Sequence, residues 1–149
     1  MALNFNKFAA EGENFIKELA HLLQSPEDTS KAGRVLISVL HALRNQLPPE
    51  ESVQMLSQFP MFLKSVYVLN WDLHEKRKNI NHFDQFIHEI RVIHGDISKR
   101  DFKNDEDVEE AIFAVFKLLR KYLSLGEIED IRAVLPKELK AMLNSVLMI

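Results

Sequence analysis

Cysteine is absent from this chain of 149 residues, which excludes disulfides, thiolate metal sites and cysteine nucleophiles. That absence suits a reducing cytoplasm, where we expect the protein to reside. A dominant charge is lacking too. Nineteen basic and 22 acidic side chains leave a net charge of −3, so no global field draws the chain to nucleic acid or an anionic membrane. No apolar run reaches the roughly 20 residues that span a bilayer, and residues 1–7 lack the basic-then-apolar order of a signal peptide. Glycine and proline are scarce, at four and five. Sustained period-two alternation is missing, so no sheet is expected. What is present is 46% hydrophobic and 28% charged residues, an ordinary globular composition. A chain of this length buries roughly 68–70% of its unfolded surface without staples.

Nearly all of the few prolines and glycines fall where helices should stop. Leu19, Leu22 and Leu23 form a stripe ending near Gln24. Ser25, Pro26 and Asp28 then read as N-cap, first helical residue and capping-box acid. The next stripe is the clearest in the chain: Ala32, Val35, Leu36, Val39, Leu40, Leu43 and Leu47 recur at three- and four-residue steps. Pro48-Pro49 ends it and opens a helix with Val53, Met55, Leu56 and Phe59, and Pro60 restarts the chain into Met61, Phe62, Leu63, Val66 and Tyr67. Phe83, Phe86, Ile87, Ile90 and Ile93 form a further stripe closed by Gly95, followed by an expected polar loop to Asn104. Asn104 with Asp107, and Ser124 with Glu127, signal two more helix starts. Pro136 opens the last helix, and Val146-Leu147-Met148-Ile149 reads as core or as an exposed dimer patch.

The halves align. At a shift of 76 residues Ala32 meets Val108, Leu36 meets Ile112, Leu40 meets Phe116, Arg44 meets Arg120, Glu51 meets Glu127, Phe59 meets Leu135 and Pro60 meets Pro136. Further upstream the shift is 71, from Phe15 to Phe86, so the second copy carries five extra residues in the segment from Gly95 to Lys103. The expected fold is all-α: a duplicated helical bundle of two pseudo-symmetric units with about four helices each. One compact domain, 1–149, contains repeats at about 5–68 and 82–148 joined by linker 69–81. Neither unit alone is long enough to bury a full core, which favours face-to-face packing over two separate lobes.

Leu47-Pro48-Pro49-Glu50-Glu51-Ser52, then Gln58-Phe59-Pro60-Met61-Phe62-Leu63-Lys64, Tyr67 and Trp71, resemble a bacterial family of unknown function, DUF2267. Gly126-Glu127-Ile128-Glu129-Asp130-Ile131 and Leu135-Pro136 resemble that family's second half. The likeness runs from about Phe15 onward and departs before Glu50-Glu51, where proline replaces a glycine-type turn. It implies a duplicated all-helical fold in a small bacterial protein, with no established activity and no site to transfer.

The candidate chemistry is thin. His82, His88 and His94 are spaced by six, whereas helical ligand pairs need three or four. His88-Glu89 opens like a zinc-protease motif, but Val92 stands where the second histidine belongs. His21 and His41 lie on separate helices and could meet. The acids from Asp105 to Glu110 fail the calcium-loop pattern, because Glu110 stands where glycine is needed. They suit a helix N-terminus instead. No glycine-rich phosphate cradle or nucleophile elbow is present. Accordingly no catalytic, cofactor or metal residue is assigned, and no cofactor is expected. Tyr67, Trp71, Lys76, Arg77 and Lys78, in and beside the linker, are the candidate partner-binding residues. Trp71 reads first as an anchor for the linker and second as a partner hot spot. The expected function is a non-enzymatic interaction or assembly module that takes a protein partner or a second copy. The alternative is a small-ligand protein or enzyme with a site between the repeats. Basic clusters at Lys76-Arg77-Lys78 and at Lys99, Arg100 and Lys103 sit among acids, so nucleic acid is disfavoured.

Overall fold

A computed structural model describes residues 3–75, 77 and 79–147. The described residues form α-helices and one 3-10 turn, with no strand among them. Helix α1 (Phe5–Leu22) is capped by Asn4, whose side chain accepts from the Lys7 N–H at 3.0 Å. Helix α2 (Thr29–Arg44) starts later than Ser25 and Pro26 suggest. Gln24 reverses the chain at φ 62°, the Asp28 N–H closes a turn on the Ser25 carbonyl, and Asp28 itself is the cap. A carboxylate at that position both accepts from the Lys31 N–H and complements the helix dipole.

Pro49 opens α3 (Pro49–Gln58) and Pro60 precedes α4 (Met61–Val68). After the non-helical residues 69–75, 77 and 79–82 comes α5 (Phe83–His94), closed by Gly95 at φ 83°, a conformation that L side chains rarely adopt. The expected loop after it is in part helical. A 3-10 turn (Gly95–Ile97) runs into the one-turn helix α6 (Ser98–Asp101), held because Asp101 is bonded from two sides, as described below. Asn104 caps α7 (Asp105–Leu119) through the Asp107 N–H at 2.9 Å. Ser124 caps α8 (Leu125–Val134) through the Glu127 N–H, but the reciprocal half of that capping box does not form. The Ser124 N–H donates instead to Gln58 Oε1 at 2.8 Å, and the Glu127 carboxyl turns toward α3. Helix α9 (Lys137–Leu147) closes the chain. The expectation for Val146-Leu147-Met148-Ile149 falls outside the described side chains.

Helices α2, α3 and α4 begin at residues 29, 49 and 61, and α7, α8 and α9 at 105, 125 and 137, each 76 later. Helix α2 packs on α1, α4, α5 and α7, while α3 packs on α8. Buried apolar residues from Phe15 to Leu143 join in one cluster, with Leu19, Leu40, Tyr67, Phe86, Ile112 and Leu143 near its middle by exposure. Burial of that apolar surface is the main stabilising term. No helix among the described residues is long and apolar enough to cross a membrane.

Candidate functional site

Exposed apolar side chains gather on one face around Leu56 and Phe62, which pack against the edge of the core. Phe5, Phe8, Val53, Leu56, Met61, Phe62 and Val68 line an open groove of about 860 Å³ between the first turns of α1 and the α3–α4 pair. Phe5, Val53, Met61 and Val68 are exposed, at 71%, 60%, 47% and 44%. Two local features build the groove. A Cβ at Gly12 would stand 3.2 Å from Phe62 Cβ, so the glycine lets α1 close on α4. Phe62 then packs on Phe15 and Tyr122, with ring centroids 5.3 and 6.2 Å away, and Phe5 stands edge-on to Phe8 at 6.1 Å. Lys64 is the charged residue of the lining. Contiguous exposed apolar surface of this kind marks binding sites more often than structure.

Two polar clusters lie elsewhere. Arg34 grips Asp101 with two hydrogen bonds, Nε to Oδ2 at 2.8 Å and Nη2 to Oδ1 at 3.0 Å. His94 Nε2 lies 2.6 Å from Asp101 Oδ2, and His94 Nδ1 lies 3.0 Å from Ser38 Oγ. Burial alone would raise the Asp101 carboxyl, but the bonds from Arg34 and His94 outweigh it and hold Asp101 below the ordinary aspartate value. Serine, histidine and aspartate are the residue types of a hydrolytic triad. Here Ser38 is 1% exposed and donates to the Val35 carbonyl, and the His94 side chain is closed to solvent. A substrate has no path to that hydroxyl, so the arrangement ties α2 to α5 and α6.

The second cluster lies where α3 meets α8. One oxygen each of Glu51, Glu127 and Asp130 come within 4.8 Å of one another. Burial, together with the facing Glu51 carboxyl, pushes Glu127 up to about 8. Both glutamates are visible in the sequence as aligned positions, but only the packing of α3 on α8 brings them face to face.

The candidate partner-binding residues separate. Tyr67 is fully buried, and its hydroxyl lies 2.6 Å from Ser52 Oγ. Trp71 is half-buried, edge-on to Tyr67 at 5.7 Å and 5.9 Å from the Arg44 guanidinium. Arg44 Nη1 in turn donates to the carbonyls of Tyr67 and Leu69 at 2.6 and 2.9 Å, fastening the start of the linker. Arg77 is exposed and reaches the Gln46 carbonyl at 3.3 Å. Trp71 and Arg77 share a cleft of about 40 Å³, room for a few waters. Lys76 and Lys78 lie outside the described residues. Among the histidines, His41 Nε2 sits 2.8 Å from the Val66 carbonyl and His82 Nδ1 lies 3.2 Å from Glu138. Sequence reading missed the groove because Val53, Met61 and Phe62 fall in stripes that look like core.

Residues 12–142 match the family described as an uncharacterized conserved protein, DUF2267. No curated protein matches the chain.

Proposed function

Since the chain belongs to the DUF2267 family, whose description assigns no activity, we propose from its own surface that it is a protein-interaction module whose α1/α3/α4 groove takes the apolar face of a partner's amphipathic helix. Its two halves are, in this reading, pseudo-symmetric repeats in one domain of a cytoplasmic bacterial protein.

The observation that carries the reading is a difference between the halves. Seventy-six residues after Val53, Leu56, Met61, Phe62 and Val68 stand Glu129, Arg132, Lys137, Glu138 and Asn144. Arg132 pairs there with Glu129 and donates to Asn144 Oδ1 at 3.0 Å. The fold therefore tolerates polar and charged residues at the places of the exposed Val53, Met61 and Val68, and those apolar side chains are not needed to build helices α3 and α4. A helix laid in the groove would cover these side chains with its own apolar residues at three- and four-residue spacing, as helix-in-groove complexes do. Lys64 sets the preference for an acidic flank on the incoming helix.

The test is site-specific photo-crosslinking in the native cell, with the crosslinker at position 53 and, as control, at position 129. We expect a discrete adduct at 53 whose crosslinked peptide is an amphipathic helical segment of another protein, and none at 129. Equal labelling at both positions, or none at 53, rejects the groove as a binding site. An adduct of twice the chain's mass replaces the partner by a second copy.

A further inference from the structure

The acidic cluster between α3 and α8 has a feature that surface acids do not. Glu51 Oε2 and Glu127 Oε1 are both buried and accept no hydrogen bond among the described residues. Glu127 as a whole is 5% exposed. Two desolvated carboxylates held this close, each with an oxygen that accepts no hydrogen bond, are costly as a pair of anions unless a proton or a cation is shared between them. Helix geometry supplies a third acid: Asp130 follows Glu127 by three residues, on the same side of α8, and its oxygen converges on the other two.

We propose that Glu51, Glu127 and Asp130 form a binding site for a hard divalent cation of the Mg²⁺ or Mn²⁺ class, which clamps α3 to α8. The donor set is all oxygen, the choice of such ions over softer metals that seek imidazole or thiolate. Three carboxylates leave coordination positions for water, and Asp130, which is exposed, gives the ion and its waters a way in. The site joins residues from the two halves of the chain. It stands apart from the α1/α3/α4 groove and does not depend on what that groove binds.

The experiment uses the full chain stripped with chelator and titrated with Mn²⁺. Free Mn²⁺ is followed by electron paramagnetic resonance, and thermal unfolding is followed in parallel. One bound Mn²⁺ per chain is expected, displaced by excess Mg²⁺. The melting temperature should rise by roughly 5–10 °C at a hundredfold excess over Kd. Glu127→Gln and, separately, Glu51→Gln should fold and lose both responses, while Asp130→Asn should bind more weakly. The site is refuted if the wild-type chain leaves millimolar Mn²⁺ free, or if Glu127→Gln binds as tightly as wild type. A Glu127→Gln chain that is more stable than wild type whether or not Mn²⁺ is present, with no Mn²⁺ bound by either, also overturns it and assigns a shared proton to the pair.

Discussion

Helices α2–α4 and α7–α9 can be compared position by position at the interval of 76 residues. Leu36 and Ile112, Val39 and Val115, Met55 and Ile131, Phe59 and Leu135, and Leu63 and Leu139 are all buried. Polar interior positions differ more. Ser52 and Tyr67 form a hydrogen bond where Ile128 and Leu143 stand 76 residues on. Arg34, which holds Asp101, corresponds to Glu110, and Ser38 to Ala114. On the outside the two diverge outright, an apolar groove against a charged face. Packing density constrains the inside tightly, because a missing methylene leaves a void. Solvent imposes no such constraint on the outside, so differences there are free to follow binding.

The comparison breaks most easily in the core. Leu63→Ala and Leu139→Ala remove the same side chain from sites that are 0% and 1% exposed. Each should cost about 3–5 kcal/mol, and the two costs should be alike. Denaturant unfolding of both variants checks this, and a large gap between them would show that only one half carries the core.

A somewhat smaller loss should come from a network found in one half only. Asp101→Asn leaves Arg34 and His94 without their carboxylate and should cost about 3 kcal/mol, the low end for a buried pair because the Arg34 side chain stays 28% exposed. The pH dependence has a definite sign. The folded Asp101 carboxyl sits below its unfolded value, so its contribution is complete above about pH 4 and is lost as pH falls further through the folded value. Unfolding measured from pH 6 to pH 2 should show wild type and Asp101→Asn converging at the acid end. A constant gap would mean that the loss is steric.

Next in size is Tyr67→Phe. The hydroxyl lies 2.6 Å from Ser52 Oγ in a buried setting, and its removal strands Ser52. About 1 kcal/mol is expected, and Ser52→Ala in the same chain should recover part of it, since an unpartnered buried hydroxyl costs more than an absent one. Full recovery with Ser52→Ile and Tyr67→Leu together, copying the other half, would show that the two interiors are interchangeable.

These contrasts also separate what is legible in the sequence from what is not. Helix positions are legible because period, proline and cap signals act within one turn. Asn104 and Ser124 cap as their spacing suggests, and the 76-residue offset recurs in the helix starts. Asp28 displaces Ser25 because both residues, three apart, can cap a helix, and local sequence does not decide between them. The bonds from Arg34 to Asp101 span 67 residues and leave no periodic trace. The Glu51–Glu127 pair needs the packing of α3 on α8. The groove is hidden for a different reason: Val53 and Met61 obey the helical period as core residues do, and only the placement of α1 shows that they stay exposed among the described residues.

The smallest expected effect on stability carries the most about function. Val53→Glu, Met61→Lys and Val68→Asn, made together, write the α8–α9 surface onto α3–α4. All three residues are exposed, and Glu and Lys are good helix formers, so unfolding free energy should shift by no more than about 0.5 kcal/mol per site. Phe62 is left in place because it packs on Phe15 and Tyr122. Crosslinking from an unaltered groove position, Phe8, should then vanish in the triple variant while the melting temperature holds. If instead the variant unfolds, the apolar residues serve the fold, and the two faces differ because their interiors differ. If the variant folds and still crosslinks, binding rests on α1 alone, and the contrast between α3–α4 and α8–α9 carries no information about a partner.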